Sequence, residues 1–376
     1  MSSPGDDDVT TASADPSSYA RFRRVVRFGS LDGLRFLAVV PVVFHHSTPR
    51  PLPGVLGKGP IGVDLFFAVS GFLITTLLLR ERDSAGRIDV RAFYTRRAFR
   101  ILPLYYAVLA LTVLRALALP VGSVVRSHFF TWLPAFATFT TTWFVDFGVP
   151  HPILFAYSWS LAVEEQFYAV FPWFARGPKV MPWLFAAGLL ACDAASSFGV
   201  LTPIASGSAP LGLLVSVVTG IRAPLLLGVL LACILHEPRG YALVSEVLGK
   251  KGSSAVFAAL LVVVLVRDDV PLVVTHLVIV CFLGSCVMRE DHVLAKLLAF
   301  RPIAFVGEVS YGIYMLHLAA IFCAKRVVDD EALSGLWVFV LAFPLSVVFA
   351  AASRRFFEEP VSRLRGRLVA RSTRGP

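Results

Sequence analysis

Apolar runs of membrane-spanning length, separated by short polar stretches, recur from residue 31 to residue 353. A helix rises 1.5 Å per residue, so about 20 apolar residues cross a hydrocarbon core of about 30 Å. Ten runs are predicted to cross: 31–48, 61–79, 101–119, 128–147, 181–199, 210–236, 253–266, 270–288, 302–323 and 333–353. An eleventh apolar segment, 158–174 (SWSLAVEEQFYAVFPWF), is short and carries two adjacent carboxylates. It reads as a re-entrant or partly inserted helix buried against protein, because charge is tolerated at membrane depth only there. The pattern therefore predicts an all-α, polytopic transmembrane bundle of about ten crossings.

Composition agrees with this medium. The 376 residues are 56% hydrophobic and only 16% charged, with a mean hydropathy of +0.73, where soluble domains carry about 25% charged residues. The net charge of +10 invites a nucleic-acid partner, but its distribution argues against one. Arginines cluster before the first run (Arg21, Arg23, Arg24, Arg27), after the second (Arg80 to Arg100) and after the last (Arg354 to Arg371). Cytoplasmic segments carry such an excess, so both termini are expected in the cytoplasm of a cell-membrane protein and the number of crossings is expected to be even. Residues 1–27 read as a disordered cytoplasmic tail, 28–364 as the membrane domain and 365–376 as a basic cytoplasmic tail. The five cysteines lie in or beside apolar runs, without the spacing of a disulfide framework or a metal site.

Ionisable residues inside these runs are the candidates for chemistry. Arg35 and His46 stand eleven residues apart in the first run; at about 100° per residue they return to one helix face, about 16 Å apart along the axis. Pro41 between them frees a carbonyl and is expected to kink the helix. Asp64 opens the second run and reads as an N-cap, with a supporting role near His46 as the alternative, while Gly71 reads as a close-packing residue. Arg97 and Arg100, spaced i and i+3, point the same way and would grip phosphate oxygens; positive-inside charge is the plainer explanation. Glu164 and Glu165 would either pair with an arginine or orient a histidine. Ser310, Tyr314 and His317 share one helical face, suited to a cavity lining or to interhelical hydrogen bonds. His128, His151, His236, His276 and His292 read as packing or surface residues.

Taken in order, LDGLR with His46 beyond it, GVDLFFAVSGFLIT, FYTRRAFRILPLYY, SWSLAVEEQFY, VSYGIYMLH and FFEEPVSRL resemble the acyltransferase-3 family of membrane O-acyltransferases. The resemblance runs from about residue 28 to residue 364. It implies a ten-helix inner-membrane protein that moves an acyl group, commonly acetyl, from acyl-CoA to a hydroxyl of a carbohydrate or glycosylated acceptor. No bound cofactor and no metal are implied, acyl-CoA being a co-substrate. His46 matches the family's essential histidine, Arg97 and Arg100 its donor-handling arginine pair, Glu164 and Glu165 its VEEQFY motif, and Tyr311, Gly312 and His317 its SYGIYxxH motif. Phe36 departs from the glycine usual after LDGLR, and His45 adds a second imidazole beside His46.

The mechanism these parts suggest has a neutral His46 removing the acceptor's hydroxyl proton, with Glu164, Glu165 or Asp64 orienting the imidazole. Arg97 and Arg100 would hold donor phosphates, and Arg35 would guide charge between them and His46. The chain ends soon after its last run, so transfer is expected to take place within the membrane domain. The rival class is a multi-pass transporter or flippase, which many crossings, buried charge and helix-breaking prolines also fit. The acceptor, the acyl length and the face on which the acceptor is modified are not legible in the sequence.

Overall fold

The computed structural model describes residues 16–48, 58–328 and 334–363. Among them every regular element is a helix. The first half comprises α1 (Pro16–Arg24), α2 (Leu31–Ser47), α3 (Ile61–Ala85), α4 (Val90–Leu117), α5 (Val124–Ala137), the single turn α6 (Thr141–Phe144), α7 (Trp159–Arg176) and α8 (Met181–Ser197). The second half comprises α9 (Thr202–Gly207), α10 (Ala209–Thr219), α11 (Ala223–His236), α12 (Pro238–Leu248), α13 (Ser253–Val266), α14 (Leu272–Val287), α15 (Ala295–Leu298), α16 (Arg301–Glu308), α17 (Ser310–Ala324) and α18 (Ser334–Ser353). A π-helical turn, Arg354–Glu358, prolongs α18.

Three helices are long and apolar enough to cross a membrane: α3, α4 and the continuous helix Gly335–Arg363. Three bent pairs qualify if each is one broken span: α10 with α11 (48°), α12 with α13 (69°) and α16 with α17 (78°). Several of their large apolar side chains face outward, Leu114, Val263, Trp337 and Val348 among them, as lipid-facing residues do. The chain is a multi-pass membrane protein.

Small residues set the close crossing of α3 and α11. A β-carbon at Gly71 of α3 would overlap the Leu225 carbonyl of α11, and one at Gly228 would overlap the Ala68 carbonyl. Without an apolar driving force between helices in lipid, such close approach supplies the packing contact; the close-packing expectation for Gly71 matches this geometry. The same device joins α16 to α2, where a β-carbon at Gly307 would overlap the Asp32 carbonyl. That contact anchors the helix carrying Arg35 and His46.

Several expectations are corrected. Residues 16–24, assigned to a disordered tail, form α1; its Phe22 is buried against Phe28 and Tyr241, and this apolar anchor gives the basic segment a reason to fold. Residues 1–15 and 364–376 lie outside the described residues. The run 128–147 is not one crossing. Helix α5 ends at Ala137 after 14 residues, about 21 Å at 1.5 Å per residue, and the chain turns at Phe139, whose φ is 56°. Tyrosine hydroxyls of α4 stabilise that end, Tyr105 donating to the Phe136 carbonyl (2.6 Å) and Tyr106 to the Ala137 carbonyl (2.8 Å). The segment 158–174, expected as a partly inserted helix buried against protein, forms most of α7, which buries Leu161, Val163, Phe167 and Phe171 and is not among the helices long and apolar enough to cross. The runs 210–236 and 302–323, each expected as one crossing, are bent pairs that break near Gly220 and at Val309. Helix α2 carries Pro41, the expected kink position, in its interior.

Candidate active site

Helices α2, α3, α4, α7 and α17 enclose a cavity of about 100 Å³ lined by Arg35, Ser70, Arg97, Arg100, Ser160, Glu164, Tyr168, Ser310, Tyr311 and Tyr314. Of the residues singled out in the sequence, seven meet here: Arg35, Arg97, Arg100, Glu164, Ser310, Tyr311 and Tyr314. Their convergence follows from local helix geometry. Arg97 and Arg100 share one face of α4, and Ser310 and Tyr314 share one face of α17.

The same three arginines also line a wider basin of about 560 Å³, together with Arg27, Asp32, Arg96, Glu308, Arg354, Glu358 and Glu359. Arg35, Arg97 and Arg100 therefore form the neck between a polar vestibule and the inner cavity. Asp32 holds part of that neck, binding Arg35 (3.0 Å) through one carboxylate oxygen and Arg27 (2.6 Å) through the other. The Arg97 guanidinium lies 4.5 Å from the centre of the Tyr168 ring, a cation–π contact.

Glu164 accepts a hydrogen bond from Ser70 Oγ (2.6 Å), and Ser70 Oγ in turn accepts one from the Tyr168 hydroxyl (3.1 Å). This chain fixes the carboxylate against the cavity wall. Glu165, one residue on and about 100° around the helix, is absent from the lining; its Oε1 is buried without a hydrogen-bond partner. The next residue, Gln166, donates from Nε2 to the Phe139 carbonyl (2.8 Å) and to Thr142 Oγ1 (3.1 Å). The EEQ triplet thus serves both the cavity and the turn that ends α5.

His46 and His317 lie one helical turn beyond Tyr314 and do not line the cavity. Their rings meet edge to face at 4.8 Å, and the Tyr157 ring lies 5.2 Å from that of His317. Nδ1 of His46 is 2.8 Å from the Val42 carbonyl, and Nδ1 of His317 is 2.6 Å from the Tyr314 carbonyl. A carbonyl only accepts, so each neutral ring carries its proton on Nδ1 and offers Nε2 as the basic atom. Tyr314 stands between the arginine cavity and this imidazole pair, its hydroxyl 2.6 Å from both Ser160 Oγ and the Tyr157 carbonyl.

The N-cap expectation for Asp64 is corrected. The cap position is Pro60, which makes no side-chain cap hydrogen bond, and Asp64 lies inside the first turn of the helix rather than at the cap. Asp64 faces His276 instead, Oδ2 to Nε2 at 3.4 Å, and is not brought to the cavity. Sequence reasoning did not single out Ser70, Tyr157, Ser160, Tyr168 or Asp32 as site members. Hydroxyl residues in apolar helices give no signal of their own until their partners are in place.

The family described as Acyltransferase domain matches residues 28–355 of this chain. A peptidoglycan O-acetyltransferase of Listeria monocytogenes, OatA, is 28% identical over 359 residues, which cover 89% of this chain and 56% of that protein. A putative peptidoglycan O-acetyltransferase of Bacillus subtilis, YrhL, is 30% identical over 358 residues, 88% of this chain and 54% of its own length. A putative O-acetyltransferase of Staphylococcus aureus is 26% identical over 371 residues, 91% of this chain and 58% of its own length. The chain thus spans little more than half the length of these relatives. No solved structure matches it.

Proposed function

Since the chain belongs to the acyltransferase domain family, we propose that it is a cell-membrane O-acyltransferase that moves an acetyl group from acetyl-CoA to a hydroxyl of a glycan, with His46 as general base. The observation that carries this reading is the sequence of chemistries along one path. A vestibule leads through three guanidinium groups into a cavity, and beyond Tyr314 lie two imidazoles with Nδ1 engaged and Nε2 as the basic atom. Guanidinium groups suit the phosphates of an acyl-CoA donor, and a neutral imidazole suits an alcohol nucleophile.

In the proposed step His46 Nε2 takes the acceptor's hydroxyl proton as that oxygen bonds to the thioester carbonyl carbon. The carbon–sulfur bond then breaks, and the leaving thiolate takes the proton back from the imidazolium. The His317 ring, packed at the edge of His46, restricts its orientation and keeps the pair dry. Glu164, fixed by Ser70, balances the charge of Arg35 and Arg97 so that the neck holds an anionic donor without closing on it. A glycan acceptor is consistent with the named activity of the peptidoglycan-modifying relatives.

The test is mass spectrometry of cell-envelope glycans from a deletion strain complemented with wild type, His45→Ala or His46→Ala. The expected result is one acyl mass restored by wild type and by His45→Ala. The His46→Ala strain should lose it, matching the roughly 10²–10⁴-fold contribution of a general base. Restoration by His46→Ala at equal expression would overturn the assignment.

A further inference from the structure

A third cavity, of about 450 Å³, lies on the opposite face of α7 from the arginine cavity. Its lining includes Thr142, Trp159, Ser216, Thr219, Gly220 and Arg222. We infer that this cavity binds a pyranose ring of the glycan acceptor, held by the hydroxyls of α10, the Trp159 indole and the Arg222 guanidinium. The inference rests on the acceptor class proposed above and adds the place where that acceptor sits.

The chemistry of the lining favours a sugar over the other molecules the reaction needs. Arg222 is the only charged side chain among the described residues that line the cavity, and its guanidinium lies 5.4 Å from the centre of the Trp159 ring. One fixed fork of donors beside an aromatic plane, with nearby hydroxyls, matches a polyol with alternating polar edges and apolar C–H faces. Ser216 Oγ and Thr219 Oγ1 donate within their own helix, to the Gly212 (3.0 Å) and Val215 (2.8 Å) carbonyls. Their lone pairs are then the groups left to receive sugar hydroxyls. Phe147 and Val163 complete the lining with apolar surface for the C–H faces of a sugar, and one arginine is a poor match for the phosphates of a CoA ester. The volume lies in the range of small-molecule sites.

Two further features tie the cavity to the reaction. Trp159 packs edge to face on Phe67, with ring centres 5.9 Å apart, and Phe67 lines the arginine cavity. The wall between the two cavities is therefore two aromatic rings. The break between α10 and α11 falls at Gly220, so the helix hydroxyls and Arg222 approach the indole from two segments bent by 48°. A β-carbon at Gly220 would lie 3.4 Å from Trp143 Nε1, a buried indole N–H with no acceptor that lies close behind the wall.

The experiment uses the full chain in lipid nanodiscs with chitotetraose as probe, reading equilibrium binding and acetyl transfer separately. Relative to wild type, Arg222→Gln and the cavity-filling Ser216→Leu are expected to weaken binding at least tenfold and to raise the acceptor KM similarly. Arg222→Lys should recover part of the loss. His46→Ala should bind chitotetraose as wild type does while failing to transfer. Thermal unfolding of each variant verifies folding, and Arg222, being exposed, is replaceable without disturbing the core. Equal chitotetraose binding by wild type and Arg222→Gln, no binding by wild type, or an Arg222-dependent affinity for anionic lipid alone would each overturn the site. Binding intact with no transfer by wild type would instead count against the proposed activity.

Discussion

At the scale of single residues, the role of an imidazole here depends on what its second nitrogen touches. His46 and His317 each commit Nδ1 to a carbonyl of their own helix, whereas His292 engages Ser30 through Nε2 at 2.8 Å and leaves a buried Nδ1 without a partner. This last contact ties the loop before α15 to the start of α2. Burial holds the His292 imidazole below the ordinary histidine value, with Arg289 pushing it further down and Asp291 opposing. The unfolded chain then binds more protons, so the contact's stabilisation is complete above the unfolded value of about 6.5 and is lost as pH falls below it. The protection of amides across residues 289–294, corrected for the intrinsic base-catalysed rate, should fall between pH 7.5 and 5.5, and His292→Gln should flatten that dependence; an equal pH response in both would sink the argument. His292 read as a packing residue in the sequence because its partner lies 262 positions away. Arg97 and Arg100 were legible as a co-directed pair because three residues of helix bring them together, while Ser70 is defined by contacts with α7 that no local pattern encodes.

At the scale of helices, close approach and breakage matter more than hydropathy. The crossing of α3 and α11 depends on two residues without side chains, so Gly71→Ala must push α11 away or distort it. A cost of about 1–3 kcal/mol is expected for such overpacking, seen as a lower thermal midpoint in detergent, with Gly228→Ala behaving alike. Gly188, where a β-carbon meets nothing within 4 Å, provides the control: Gly188→Ala should leave the midpoint unchanged, and an equal loss at all three sites would refute the packing account. Most apolar helices were visible as runs of the right length. Their breaks were not: Val309, where α16 and α17 meet at 78°, is itself β-branched and apolar, and the Gly307, Glu308 and Ser310 around it read equally well as packing and cavity residues. The end of α5 was hidden for a related reason. The aromatic residues after it keep hydropathy high, while Tyr105, Tyr106 and Gln166 satisfy the carbonyls that a continuing helix would have used.

For the whole molecule, the arginine distribution gives an orientation that labelling can check. In a cysteine-free background, a single cysteine replacing Arg87 in the α3–α4 loop should react with an impermeant thiol reagent only after the cytoplasmic face is exposed. One replacing the exposed Val121 in the α4–α5 connection should react on intact cells; the reverse pattern would invert the protein. Class and medium were readable from composition and run length alone, whereas the separation of the arginine cavity from the imidazole pair by Tyr314 exists only once five helices have met. The arginine neck has a consequence for the cell as well. A polar cavity that enters a bilayer from the vestibule is a flaw in an insulator, and a membrane energised by a proton gradient would discharge through a continuous wire of water. Three arginines at the neck, offset in part by Asp32 and Glu164, would still oppose hydronium and metal cations electrostatically, as single arginines do in water-selective pores. The neck would thus also act as the plug that lets a catalyst be hollow without costing its host the gradient.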